Sequence, residues 1–418
     1  MNNRCEIISV GTELLLGNIA NTDAQDISQA MSELGINVYW HTVVGDNPKR
    51  LSECVEIAKS RADIIITTGG LGPTYDDLTK NTLAAAFGKK LIFDPEEAKR
   101  IENHFMTRAW STPMTENNYN QAYLPEGCTK LPNTCGTAPG CAFEAEGVTV
   151  IMLPGPRNEC RTMLRLAAMP YLAAKSDVVL KSHNIHVFGM NESTIEDKLH
   201  NLMQTMTNPT LAPYAKTGEV MLRLTARGKN EGECESLMAP YLEKVKDVLG
   251  DTVYSVDIES MEETVVKLLG AENKSAASIE SSTGGLFSKR ITDVSGFEKV
   301  FAGGLTVQPG SNYGGLPGLD KVKTEGREAA VLFSQCARSF FGADYGVGIS
   351  GEIDTQTAAD ADKVGVIYVA VCCDKGSYVR RTQLGTYRER TRIVSASHAF
   401  DLLRRLASDL APNADKID

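Results

Sequence analysis

Residues 62–68 read Ala-Asp-Ile-Ile-Ile-Thr-Thr and run straight into Gly69-Gly70-Leu71-Gly72-Pro73-Thr74-Tyr75-Asp76-Asp77. A continuous β-branched run of this kind is the pattern of a parallel strand covered on both faces. It stands third in an alternating order. Residues 5–10 form a short apolar run ending at Gly11-Thr12-Glu13. Residues 23–34 carry Ile27, Ala30, Met31 and Leu34 at helical spacing and stop at Gly35. Residues 36–44 read as a strand and 51–62 as an amphipathic helix. This βαβαβ order predicts a doubly wound sheet, with ligands at the carboxyl ends of its strands. The module closes at 163–173, after a strand over 148–153.

The glycines at the end of the central strand permit positive φ and leave no side chain between backbone and ligand. The helix predicted over 78–87 offers N–H groups to a phosphate. Asp76 and Asp77 can hold a hydrated Mg2+, accept from a ribose or pterin, or simply cap that helix. Capping alone does not require three glycines, so a pocket for a nucleotide or pterin phosphate is expected. Two further turns belong to the same module: Gly11-Thr12-Glu13 with Asn18, Asn21 and Thr22 beyond it, and Gly136-Thr137-Ala138-Pro139-Gly140, followed by Leu153-Pro154-Gly155-Pro156-Arg157-Asn158-Glu159. Each set is compatible with ordinary turn chemistry, and together they supply loops able to converge on one sheet edge.

A chain of 418 residues exceeds what one core organises, so two or three domains are expected. The net charge of -10 argues against a nucleic-acid binder held by phosphate neutralisation. The ten cysteines show no repeated C-x-x-C pairing, which disfavours structural zinc, and a disulfide scaffold makes little sense at this length. The start has no apolar leader and no run reaches membrane-spanning length, so a cytoplasmic protein with reduced thiols is expected. Beyond residue 181 the texture becomes that of a small α+β insert. Strands are expected at 187–188 and 219–225, with helices over 193–203 and 231–249. A third unit follows, with a helix over 262–269, strands over 276–279, 343–349 and 365–371, and a polar, frayed tail from 411.

The series GTELLLGNIANTDAQ, VVGDN, TTGGLGPTYDDLT, NQAYLP, GTAPG and LPGPRNE resembles the competence/damage-inducible protein A (CinA) family. The resemblance covers essentially the whole chain. It implies three parts: a three-layer α/β domain similar to MogA and MoeA over 1–170, a KH-like α+β linker over 171–256, and an α/β CinA C-terminal domain over 257–418. The middle part has no G-x-x-G loop, so a spacer is expected there rather than an RNA-binding module. For the first domain the resemblance implies molybdopterin-like binding and metal-dependent ADP-ribose pyrophosphatase activity. Carried over residue by residue, Gly69, Gly70, Gly72, Asp76 and Asp77 match the phosphate and metal loop. Thr12, Glu13, Asn21, Asn133, Gly136, Ala138, Pro139, Gly140 and Gly155 match the rest of the pocket. The cation expected at Asp76 and Asp77 is divalent, of the Mg2+ or Co2+ class, with K+ as a further candidate. Asn120 departs from the family, which carries a cation there. A homodimer that binds no membrane is expected. A binding module without turnover is the second reading.

In the third unit, Glu280-Ser281-Ser282-Thr283-Gly284-Gly285 looks like a nucleophile turn, with amides at the following helix start as an oxyanion hole, or else a Ser/Thr cap before packed glycines. No histidine lies close in sequence. The unit is similar to nicotinamide mononucleotide deamidases, in which Ser281 matches the serine and Ser282 replaces a cysteine. The base of that family lies in a Y-S-N-E-A-K-like segment. Here Gln308 stands where its Tyr belongs and Tyr313 where its Lys belongs, and the glycine loop of the family is reduced to Gly351-Glu352-Ile353-Asp354-Thr355-Gln356-Thr357-Ala358. Ser281 is therefore expected to be vestigial and the amide hydrolase lost, which ranks that activity lowest of the three readings.

Overall fold

The computed structural model describes residues 4–107, 114–175, 179–308, 319, 325–353 and 364–417. It divides into two compact units, Met1–Lys181 with Arg227–Cys234, and Ser182–Ala226 with Glu235–Asp418.

The first unit is the doubly wound sheet that the alternating pattern predicts. Its strands run in the order Asn37–Val44, Arg4–Val10, Ile64–Thr68, Val148–Leu153, Gly140–Ala145 and Thr129–Leu131. The first four are parallel and the last two are added antiparallel. Period-two alternation divides the apolar side chains between two cores. Ile7, Ile66 and Ile151 pack with Ala24, Ile27 and Met31 of the helix Thr22–Glu33. Ile8, Ile65 and Val150 pack on the other face with Leu51, Val55 and Ala58 of the helix Pro48–Arg61. Asparagines start both helices: Asn21 accepts from the Ala24 amide and Asn47 from the Arg50 amide. The second of these helices begins three residues earlier than its apolar periodicity, because Asn47-Pro48 is a ready start. The segment between the glycine loop and residue 129 holds a small hairpin, Leu91–Phe93 with Tyr123–Pro125, and the helix Pro95–Thr107.

Two further sheets follow along the chain. A four-stranded sheet has the order Thr210–Lys216, Glu219–Gly228, Val179–Val187 and Val253–Val256. Pro213 lies in its edge strand, the place in a sheet where proline is tolerated. A six-stranded sheet has the order Phe301–Thr306, Ala276–Glu280, Tyr345–Gly351, Val366–Cys373, Gly376–Gln383 and Asp415–Ile417. The last of these corrects the expected frayed tail, because residues 415–417 pair antiparallel with Ser377–Val379. Asp401 is buried among Arg380, Arg404 and Arg405, and Arg405 also reaches Asp251 at 2.6 Å. Among the described residues, no helix is long and apolar enough to cross a membrane.

Candidate functional site

The carboxyl ends of the parallel strands open into a cavity of about 750 Å3, at the edge where a doubly wound sheet places ligands. Gly69 and Gly70 form its floor with φ of +96° and +66°. A Cβ on Gly69 would lie 2.1 Å from the Val10 carbonyl oxygen, and one on Gly70 would lie 2.2 Å from Thr79 Oγ1. The reason for glycine is therefore the loop's own closure. The Thr79 hydroxyl donates to the Gly69 carbonyl at 2.8 Å, and the Gly69 amide donates to Leu153. Gly155 packs on Gly69 from the neighbouring strand end, 3.3 Å from its Cα to where a Cβ would stand.

Asp77 does not cap the helix, which begins at Thr79 without a side-chain cap. Instead its carboxylate closes the loop, accepting from the Gly72 and Thr74 amides at 2.8 Å each. The Thr74 hydroxyl stands between Asp76 and Asp77, 2.5 Å from an oxygen of each. Both carboxylates thus sit on one hydrogen-bonded turn that faces the cavity. A carboxylate oxygen that accepts one hydrogen bond retains lone pairs for a cation. Among the described residues no group of three or more metal-ligating side chains occurs. A cation at this turn would complete its shell from water and ligand oxygens, the usual arrangement for Mg2+ with phosphates, so the residues fit the group.

The expected residues divide by position. Glu13, Asn21, Gly69, Gly70, Gly72, Asp76, Asp77, Ala138 and Gly155 line the cavity. Thr12, Asn133, Gly136, Pro139 and Gly140 are not on its wall. Thr12 donates from its amide and its hydroxyl to Asp46. Asn133 accepts from the Cys135 and Gly136 amides and donates to Glu159 at 2.6 Å, so it aims a carboxylate at the cavity. Gly136 lies against that same carboxylate, Gly140 begins a strand against Met163, and Pro139 lies in the turn between them.

Several residues on or behind the cavity wall carry no local sequence signal. Asp23, Asp46 and Glu159 join Glu13, Asp76 and Asp77 on the wall, and Arg157 is the only cationic side chain that lines the cavity among the described residues. Arg100 ties down the 133–137 turn by donating to the carbonyls of Asn133, Gly136 and Thr137. Lys80 lies buried behind the loop, its ammonium on the Asn120 and Gln121 carbonyls, and burial pushes its pKa down to about 8. The segment that lacks the family's cation at Asn120 is thus held by a cation from the helix after the glycine loop.

In the second unit the serine turn differs from expectation. The Glu280 carboxylate, fully buried, accepts from the Phe287 and Ser288 amides at 3.0 and 2.9 Å. Two of the helix-start donors, the Phe287 and Ser288 amides, are therefore already taken. Ser281 does have a carboxylate neighbour that sequence order concealed: its hydroxyl donates to Glu325 at 2.6 Å. That same Glu325 oxygen also takes the Ser350 hydroxyl and the Gly351 amide. Burial pushes the Glu325 carboxyl up against these three donors. Residues 309–313 and 354–358, where the deamidase motifs depart most, lie outside the described residues.

Comparison with known proteins agrees with this geometry. A family model described as "Probable molybdopterin binding domain" matches residues 6–174, one for the "Damage-inducible protein CinA KH domain" matches 182–255, and one for the "CinA C-terminal domain" matches 258–407. A molybdopterin-binding type of α/β domain joined to a KH module and a second α/β domain is the class these features define. A CinA-like protein of Dictyoglomus turgidum is 40% identical over 409 residues, spanning 96% of this chain and 98% of the relative. Another from Desulfovibrio desulfuricans is 40% identical over 425 residues, spanning 99% of each. The chain belongs to the CinA family. Among solved structures, CinA of Thermoplasma acidophilum is 30% identical over 40% of this chain and 96% of its own, with a TM-score of 0.37. MoaB of Thermus thermophilus is 18% identical over 41% and 96%, with a TM-score of 0.28.

Proposed function

We propose that the cavity of the first domain binds a nucleotide or pterin phosphate and hydrolyses a nucleotide pyrophosphate such as ADP-ribose with the help of a divalent cation. The observation that carries the reading is the charge of the wall: six carboxylates against one guanidinium, around a glycine turn shaped for close approach. A pyrophosphate cannot settle among those carboxylates unless a cation intervenes. A divalent ion of the Mg2+ or Co2+ class between Asp76, Asp77 and the ligand's phosphate oxygens would supply that neutralisation. The chain's own residues do the rest. Asp77 fixes the loop, the Gly69–Gly72 backbone lets the phosphates approach, and Arg157 offers a guanidinium at the start of its helix. Purified protein incubated with ADP-ribose and Mg2+ or Co2+ is expected to release AMP, and absence of AMP would sink the hydrolytic reading. The bonds that Asp77 already makes to its own loop favour a second reading, in which the pocket holds its ligand without turnover. Calorimetric binding of ADP-ribose without AMP release is its mark.

We further propose that the C-terminal domain has lost amide hydrolysis, a reading supported by Gln308, which stands where the similar deamidases carry their Tyr. Nicotinamide mononucleotide should yield no ammonia; turnover abolished by Ser281→Ala would overturn this. The protein is proposed to work as a cytoplasmic homodimer, and light scattering at 45.3 kDa would refute the assembly.

A further inference from the structure

Six carboxylates face the cavity, and the hydrolytic reading leaves open which of them takes the proton of the attacking water. Four are committed to holding the walls. Asp76 and Asp77 are tied to Thr74, Asp77 also to Gly72, Asp46 accepts from Thr12, and Glu159 accepts from Asn133. Glu13 is an exposed residue of the short helix Thr12–Leu15. Asp23 is different. It stands in the first turn of the helix Thr22–Glu33, partly buried, and one carboxylate oxygen, Oδ2, is 3.0 Å from the Thr68 hydroxyl. Among the described residues no partner is seen for its other oxygen, Oδ1.

Thr68 is the last residue of the central strand and leads directly into Gly69, so this hydroxyl adjoins the floor on which the phosphates would rest. It is buried, and it lies 3.1 Å from the Pro154 carbonyl as well as beside Asp23, with the Cys160 thiol at 3.7 Å. A hydroxyl has one proton and two lone pairs. While Asp23 is ionised, Thr68 donates to it. Once Asp23 is protonated, Thr68 can turn its proton to the Pro154 carbonyl and accept from the carboxyl group. Both charge states of Asp23 are then hydrogen-bonded without any movement of the backbone.

We infer that Asp23 is the proton acceptor of the proposed pyrophosphate hydrolysis, with Thr68 as the positioning residue that lets its carboxyl pass between charged and neutral forms. The inference rests on the hydrolytic reading above. In the step, an O–H bond of water breaks and its proton passes to Asp23. The water oxygen bonds to one phosphorus, the bond from that phosphorus to the bridging oxygen breaks, and the leaving phosphate departs with the electron pair. Nothing is oxidised or reduced, and the proton returns to solvent as AMP and ribose 5-phosphate leave. The surroundings suit the role. Burial pushes the Asp23 carboxyl up, Thr68 opposes this, Asp26 on the same helix adds to it and Arg157 on the facing helix pulls it down, with a net rise that makes it a better base. Cys160, across from it, has its thiol pushed up to about 12 and stays neutral.

The test uses the full chain with Mg2+ and ADP-ribose, over a pH series, together with the methylene analogue of ADP-ribose, whose bridging carbon resists hydrolysis. Asp23→Asn should lower kcat by about 100-fold or more while leaving calorimetric affinity for the analogue unchanged. Thr68→Val keeps the shape and removes the hydroxyl. It should retain turnover but shift the acid limb of kcat/KM to higher pH, because the ionised carboxylate loses its donor. Thermal melts establish that both variants fold. Wild-type turnover in Asp23→Asn overturns the inference and leaves the hydrolytic reading standing. A parallel loss of analogue affinity and kcat in Asp23→Asn makes Asp23 a ligand holder and also overturns it. An acid limb unmoved in Thr68→Val overturns the positioning role given to Thr68. Wild-type protein that releases no AMP overturns the hydrolytic reading and this inference together.

Discussion

Replacing Gly69 by alanine tests whether the floor of the cavity is built by backbone closure. Alanine at φ +96° is strained by about 1–2 kcal/mol from its conformation alone. Its Cβ would also stand 2.1 Å from the Val10 carbonyl oxygen, well inside any real contact. Val10 is the end of the neighbouring parallel strand, so relief requires two strand ends to separate, an overpacking cost of about 1–3 kcal/mol. The sum is about 2–5 kcal/mol. Gly88→Ala is the control: its φ is +62°, but nothing lies within 4 Å of the new carbon, so only the conformational part remains. Both tryptophans, Trp40 and Trp110, belong to the N-terminal domain, so urea unfolding followed by tryptophan fluorescence reads that domain separately. Gly69→Ala should lose clearly more stability than Gly88→Ala and should bind ADP-ribose more weakly. Equal losses would show that the Gly69–Val10 approach carries no weight.

Asp76→Ala should weaken Mg2+-supported ligand binding at an unchanged melting temperature. Asp77→Ala should also cost about 1 kcal/mol, since it takes the acceptor from the part-buried Gly72 amide, while the exposed Thr74 amide turns to water. Calorimetry and thermal melts separate the two. Lys80 has a folded pKa of about 8, below the usual 10.5, so between those values the unfolded chain binds more protons and stability rises with pH. Relative to Lys80→Met, the wild type should gain up to about 3 kcal/mol across that window, and a flat difference in pH-dependent urea titrations would contradict the burial. Burial pushes the Asp401 carboxyl up, but Arg380, Arg404 and Arg405 together hold it below its ordinary range. Asp401→Asn should cost about 3–5 kcal/mol by leaving buried guanidiniums unpaired, measured as a lower melting temperature; a melt matching the wild type would refute it.

The first domain was legible because its information is local. An apolar run covered on both faces, an asparagine start and a glycine stop each specify an element without reference to distant residues, and Ile64–Thr68 leading into Gly69 illustrates all but the helix start. The hairpin of Leu91–Phe93 with Tyr123–Pro125 was not legible, because strands of three residues are too short to show a period. The tail was misread for a related reason. Of residues 415–417 only Ile417 is apolar, too little to show a period, and only the pairing with Ser377–Val379 makes them a strand.

The same division runs through the sites. Glycines and paired aspartates announce a turn, so Gly69–Asp77 stood out in the sequence. Residues that act on a turn from elsewhere do not: Arg100 reaches across 33–37 positions to the 133–137 loop, and Glu325 reaches back 44 positions to Ser281. Asp23 was overlooked for a further reason, since two residues after an asparagine cap it looks like an ordinary acidic first-turn residue favoured by the helix dipole. What distinguishes it is Thr68, 45 positions away, and that pairing follows from the parallel register of Ser9 with Thr68, which sets the start of the first helix beside the end of the central strand. The glycine loop tells that a ligand can approach. Which side chain could move a proton there is decided by the sheet order, and so becomes visible only when the chain is folded.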